Sequence, residues 1–256
     1  MERSTQTDRV EVGSAVVLSL SIETASASAG VALGDDHGVI DVIEVLEGRR
    51  HVETVIPAAD ELLGRYGHSP NDITHIGVDV GPGLFTGLRV GLATAKALAL
   101  SGTRAVLGCS SLELLVWESA FRGEVGEGAE VVAVLDARRE EVYAARFAIR
   151  DGEPRAVVDP FASSYADVVS RCHIEANDLV VGDAHLLEGV APQIVAGSVT
   201  RPMASTLARV MAEASIRTSA PFASTIDAID ALEVLYLRAA DAEVKAPSTR
   251  NTITRS

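Results

Sequence analysis

The first 45 residues alternate short apolar runs with polar turns. Val16–Ile22, Gly30–Leu33 and Val39–Val45 read as three strands, separated by the small polar turn Glu23–Ser28 and by Gly34-Asp35-Asp36-His37-Gly38. Strand, turn, strand, turn, strand is a meander. The period then changes. Val52, Val55, Ile56, Ala59, Leu62, Leu63 and Tyr66 recur at steps of three and four, which predicts a helix over His51–Tyr66 with one apolar stripe. Ile73–Val80 returns to strand alternation, and Leu88–Leu100, rich in Ala and Leu, predicts a second helix. Between them stands Gly81-Pro82-Gly83, where glycine allows positive φ and close backbone approach and proline fixes φ. Thr86 is the expected N-cap.

Past that cap Gly87, Gly91, Ala95 and Ala99 fall at steps of four, so one helix face is nearly bare of side chains. Such a face either packs tightly on the chain's own sheet or admits another helix, from another subunit. A Walker-type phosphate cradle is excluded, because no Gly-Lys-Ser/Thr ends the loop. Downstream, Arg104–Leu107 predicts a fifth strand, and Ser110 with Glu113 forms a capping box for a helix ending near Arg122. Gly123–Gly128 is a loop. Val131–Leu135 and Val142–Ile149 begin a second meander, with an Asp151-Gly152 turn beyond, and helical patterns over Tyr165–Cys172 and Thr206–Ala214 flank the strand Leu179–Val181. The resulting division is a flexible N-terminus (1–14), a first lobe (15–108), a smaller second lobe (109–203), a helix and strand returning to the first lobe (204–238), and a disordered polar tail (239–256).

The run GPGLFTGLRVGLATAKALAL resembles the signature of the TsaB (YeaZ-type) family, bacterial partner proteins of the tRNA threonylcarbamoyladenosine machinery. Ile22-Glu23-Thr24, Arg50-His51 with Pro57, Asp136-Ala137-Arg138 and Glu141-Val142-Tyr143 agree with it in order. The resemblance implies a two-lobed α/β fold of the actin-like ATPase and sugar-kinase superfamily, each lobe a mixed sheet flanked by helices. It implies a scaffold that binds and activates the TsaD transferase on tRNAs decoding ANN codons, with a TsaE-like ATPase as a further partner. It also implies a four-helix bundle at the subunit contact, through Arg50, His51, Val55, Ala59, Gly87, Gly91 and Ala95, and a homodimer through the same surface when TsaD is absent. ATP or ADP has room at the junction with partners, and this chain requires no cofactor of its own.

Composition narrows the functional classes. Of 256 residues, 47% are hydrophobic but only 4% aromatic, so the cores must be built from Ala, Val and Leu. The formal net charge is −14 and the basic residues are scattered, whereas nucleic-acid binders show a basic stripe. The expectation is that tRNA is met only through the complex. Cys109 and Cys172 form no CxxC, Met1–Gly13 lacks the apolar core of a signal peptide, and no apolar run reaches membrane-spanning length. These features predict a cytoplasmic protein with no membrane contact.

The superfamily's ATP site needs two glycine-tipped hairpins whose amides approach phosphate, together with acidic residues for a metal. Glu23-Thr24-Ala25 stands at the first hairpin without the glycine, and Arg138 stands where the second needs one. Glu23, Thr24, Asp136 and Arg138 therefore read as a vestigial nucleotide site or an inter-lobe site, and turn capping or inter-lobe pairing is the preferred role of the two carboxylates. TsaD carries a His-x-x-x-His pair after the fifth strand; by position Ser111 and Leu115 stand there, and neither replaces imidazole. The six histidines show no zinc-ligand spacing, and no G-x-S-x-G elbow appears. No catalytic residue and no metal ligand is expected. The alternative reading is a nucleotide-dependent phosphotransferase of the sugar-kinase type.

Overall fold

In the first strand Leu18, Leu20 and Ile22 alternate with Ser19 and Ser21, and the alternation assigns the two faces of a sheet. The computed structural model describes residues 17–45, 51–102, 104–191, 193–216 and 222–238. Strands β1 (Leu18–Glu23), β2 (Ala29–Asp35) and β3 (Gly38–Val45) form the expected antiparallel meander. Helix α1 (His51–Arg65) leads to β4 (His75–Gly81), α2 (Phe85–Leu100) and β5 (Ala105–Ser110), and β4 and β5 add in parallel on the other side of β1. The sheet order is β3-β2-β1-β4-β5.

Helix α3 (Ser111–Phe121), N-capped by the Ser110 hydroxyl, opens the second half. Strands β6 (Glu130–Arg138), β7 (Glu141–Arg150) and β8 (Glu153–Ser164) form a second meander, followed by α4 (Tyr165–Arg171), β9 (Leu179–Gly182) and the two-residue β10 (Val195–Ala196). Its sheet order, β10-β9-β6-β7-β8, repeats that of the first lobe, with β9 and β10 parallel to β6. Two sheets with one topology, each flanked by helices, give the two-lobed actin-like arrangement that the resemblance implies. Helix α5 (Ala204–Ile216) then returns to pack on β1, β2 and β3, and α6 (Ile226–Asp230) lies against α2.

Each sheet is covered on both faces. In the first lobe Leu20, Ile22 and Ile76 pack with Val55 and Leu62 of α1 and Leu92 and Ala95 of α2, while α5 covers the opposite face with Ala204, Leu207, Ala208 and Met211. In the second, Leu112 and Leu115 of α3 cover Val131 and Ala133, and Val168 of α4 packs with Val132 and Val134. Helix α3 serves both lobes, since Leu114 and Trp117 also meet Leu207 and Met211.

Three expectations change. The helix after Gly81-Pro82-Gly83 begins at Phe85, its N-cap is Leu84, and Thr86 is exposed in the first turn without capping. The Leu84 N–H bonds Ala25 O at 2.7 Å, so the turn is held by the neighbouring hairpin and not by a local hydroxyl. Strand β8 went unread because Pro154 and Pro160 break a central strand; it is an edge strand, where proline is tolerated. Within 204–238 the helix is present, but the expected strand is reduced to one bridge, Ala223 to Val106. The N-terminal segment 1–14 and the tail 239–256 lie outside the described residues.

Candidate functional site: the inter-lobe cleft and the outer face of α2

A cleft of about 360 Å³ opens between the lobes, with Ala25, Ser26, Ser28 and Gly83 on one wall and Asp136, Arg138, Tyr143 and Asp183 among the residues of the other. The β1–β2 turn makes the first wall. Glu23, 1% exposed, ends β1, and its Oε1 accepts the N–H groups of Ala25 at 2.8 Å and Ser26 at 3.1 Å. Thr24 Oγ1 donates to Gly87 O at 2.8 Å, tying the turn to α2. Glu23 and Thr24 thus lie behind the wall and do not face the cleft.

The β6–β7 turn makes the second wall in the same way. Asp136 Oδ1 accepts the Arg138 N–H at 2.7 Å, Arg138 Nη1 pairs with Oδ2 at 3.0 Å, and Asp183 Oδ2 accepts the Asp136 N–H at 2.8 Å. Arg138, Arg139 and Glu140 all have positive φ, at 66°, 58° and 62°. L-residues tolerate that region poorly, at about 1–2 kcal/mol each, so the turn is strained where glycine would not be. At both tips a carboxylate of the chain takes the amides that a phosphate-binding hairpin presents to its ligand. Glu23 and Asp136 each accept backbone N–H groups of their own turn.

Beneath the first wall lies a carboxylate that sequence reasoning passed over. Asp79, fully buried at the end of β4, accepts Ser111 Oγ at 2.7 and 2.9 Å and the Gly81 N–H at 2.8 Å. Burial pushes its carboxyl up to about 7 against the opposing pull of those hydrogen bonds. Glu23 is also raised well above the usual range, by burial and then by the charge of Asp79. The signal was present: an acid inside an apolar run, two residues ahead of Gly-Pro-Gly. Ser111 spends its hydroxyl on Asp79, and Leu115, fully buried, has an alkyl side chain with no donor atom. Among the described residues, the group bringing three ligand atoms within 4.8 Å is Asp35, Asp36 and His37 on the β2–β3 turn, where Asp36 and His37 are exposed.

The small-residue stripe faces inward, which corrects the expectation of a partner contact through it. Gly87, Gly91, Ala95 and Ala99 are buried, and a Cβ at Gly91 would stand 2.3 Å from Thr24 Oγ1 and 3.6 Å from Ile22. Val55 and Ala59 are likewise core residues, 1% and 5% exposed. Arg50 and the side chain of His51 lie outside the described residues. The outward side of α2 is a shallow depression lined by Phe85, Thr86, Arg89, Val90, Ala93 and Thr94. The Arg89 guanidinium lies 3.9 Å from the Phe85 ring centroid and donates through Nε to Tyr236 OH at 3.0 Å, and the Phe85 and Tyr236 rings are 5.5 Å apart. Ile56 of α1 is also exposed.

Residues 44–179, just over half of the chain, match the family model described as TsaD, tRNA N6-adenosine threonylcarbamoyltransferase. The tRNA threonylcarbamoyladenosine biosynthesis protein TsaB of Escherichia coli (strain K12) is 34% identical over 128 residues, 50% of this chain and 54% of that protein. The chain belongs to the TsaB/YeaZ-type family. The Bacillus subtilis (strain 168) protein of the same name is 34% identical over 140 residues, 54% of this chain and 58% of its own length. The chain thus spans little more than half the length of these curated relatives. A Pseudomonas aeruginosa crystal structure, described as an uncharacterized protein with similarity to peptidase YEAZ, superposes with a TM-score of 0.74 at 24% identity. It covers 87% of this chain and 100% of that one, and it shares the fold. No helix among the described residues is long and apolar enough to cross a membrane.

Proposed function

We propose that the chain is a non-catalytic subunit of the machinery that makes N6-threonylcarbamoyladenosine in tRNA, binding and activating a TsaD-like transferase on tRNAs decoding ANN codons. The observation that carries the non-catalytic part is the self-capping of both hairpin tips, where Glu23 and Asp136 take the amides that phosphate would need. Family membership supports the pathway and the partner. The contact is assigned to the outer faces of α1 and α2, with Ile56, Phe85, Arg89 and Val90 towards the partner's helices in a four-helix bundle, and the same face closes a homodimer when the partner is absent. A TsaE-like ATPase joins the assembly, with ATP or ADP held at the subunit junction. The chain works in the cytoplasm. With a net charge of −14 it meets tRNA through the complex, since phosphate neutralisation supplies most non-specific affinity.

Reconstitution tests this reading. A TsaD-like transferase, supplied with tRNA and activated threonylcarbamoyl donor, should modify adenosine only when this chain is added. Isothermal titration of the lone chain with Mg-ATP should give no binding heat. A transferase equally active without the chain removes the activating role, and tight Mg-ATP binding with turnover returns the phosphotransferase reading.

A further inference from the structure

After α6, residues 232–237 form no helix or strand, yet the segment is held at several places. Leu232 and Val234 pack on the core of the first lobe. The Leu235 N–H donates to Val80 O at 2.8 Å, one residue ahead of Gly81-Pro82-Gly83. Tyr236 is exposed beside the first turns of α2, where its hydroxyl accepts Arg89 Nε at 3.0 Å and its ring lies 5.5 Å from that of Phe85. Two residues on, Arg238 reaches the second lobe: its Nη1 donates to Ala137 O at 3.0 Å and pairs with Glu141 Oε2 at 3.3 Å. Residues 232–238 thus run from the outer face of α2 to the β6–β7 turn, which forms the second wall of the cleft.

At its far end Arg238 holds the residues on either side of the strained tip. Ala137 precedes and Glu141 follows Arg138, Arg139 and Glu140, the three residues of positive φ. Backbone in that region persists where surrounding contacts over-determine it, and Arg238 supplies two such contacts from outside the second sheet. At the near end the Arg89 guanidinium lies over Phe85 with its Nε fixed by Tyr236, so two exposed groups of the α2 face keep one arrangement before a partner arrives. A side chain ordered in advance avoids its ordering cost on association. One residue, Leu237, separates Tyr236 from Arg238, and a residue contributes at most about 3.6 Å of reach. We propose that residues 232–238 are a strap that links partner docking on the outer face of α2 to the conformation of the β6–β7 turn at the cleft. The proposal rests on the assignment of that face to a TsaD-like transferase. With the strap seated, Arg89 and Phe85 are set for docking and the tip keeps its strained form. With the strap released, Arg89 loses its Tyr236 partner and the tip relaxes. Linkage is reciprocal, so a partner that prefers the seated form also steadies the tip.

Amide hydrogen exchange of the full chain, read by mass spectrometry on peptides covering 133–146, measures the tip, and peptides from α1 and β9 serve as the reference for overall stability. In the free chain Arg238→Ala should speed exchange at the tip by about tenfold, the usual loss for a charge-assisted hydrogen bond. Glu141→Gln cuts the same pair from the turn side and carries this arm should Arg238→Ala fail to fold. Tyr236→Phe removes one hydroxyl, bonded to Arg89, and should still speed the tip by about twofold or more while the reference peptides exchange as in the native chain. Adding the TsaD-like transferase should slow the tip in the native chain and not in Arg238→Ala, and Arg238→Ala should bind it roughly threefold or more weakly. Tip exchange unchanged in Tyr236→Phe, or raised only together with the reference peptides, overturns the strap. So does native transferase affinity in Arg238→Ala while Phe85→Ser loses affinity, a result that leaves the docking face standing. Native affinity in Phe85→Ser as well removes the docking face itself, and the linkage with it.

Discussion

Gly91 and Thr24 set how closely α2 can lie on β1. The Thr24 hydroxyl occupies the space a Gly91 side chain would need, and it is already committed to Gly87 O. Gly91→Leu should therefore lower the melting temperature, since overpacking of this kind costs about 1–3 kcal/mol, while association through the outer face of α2 stays unchanged. Calorimetry paired with sedimentation reads both quantities. On the other side of β1, the buried hydroxyls of Ser19 and Ser21 have no hydrogen-bond partner among the described residues. Removing such a group relieves a desolvation cost, so Ser21→Ala should raise the urea midpoint, through a stability gain on the order of 1 kcal/mol. The sequence exposed these two features unequally. Steps of four in Gly87, Gly91 and Ala95 showed that they share a face, but spacing does not say what lies opposite. The Leu–Ser alternation of β1 has the period of a half-exposed strand, yet α5 covers its serine face, and nothing local to β1 announces a helix nearly two hundred residues away.

Between β4 and α3 the connection runs through Asp79 and Ser111, and it gives the element pair a pH dependence. An unfolded aspartate titrates near 3.9, whereas Asp79 in the fold is raised to about 7. Between those values the unfolded chain sheds a proton that the folded chain keeps. Stability from this group is full below about pH 4, falls as pH rises towards 7 and levels off above, with a slope of at most ~1.4 kcal/mol per pH unit. The raised Glu23 acts in the same direction. Urea midpoints across that range should fall for the native chain and fall less for Asp79→Asn; parallel curves would remove Asp79 from the account. Regular elements were legible wherever periodicity was strong, as in α1, the first meander, β6 and β7. They were lost where tertiary context overrode local chemistry: β8 carries two prolines that only an edge position excuses, and the α2 N-cap is a leucine whose N–H is anchored to Ala25 of the β1–β2 turn.

At the scale of the whole molecule, the lobes repeat one sheet order, and the sequence pattern displayed the whole meander of the first and two of the three meander strands of the second. The cleft between them was half legible. Asp136 and Arg138 line it as their place between two strands suggested, whereas Asp79 and Asp183 join the site only once distant strands are brought together. Subunit contact should separate from stability in the opposite sense to Gly91. Phe85→Ser or Arg89→Glu should weaken association with the TsaD-like transferase by roughly tenfold or more, as for aromatic and arginine anchors elsewhere, with little change in melting temperature. Affinity unchanged in both variants would move the contact off this face. The return of α5 also has a consequence for synthesis. A ribosome releases residues 17–110 first, yet the sheet they form has one face that only Ala204–Ile216 can cover. Domains of nascent chains generally complete from the N-terminus onward. Here the order is reversed: the later lobe can close over α3 and α4 while the earlier one still waits, one face of its sheet open, for α5 to leave the exit tunnel.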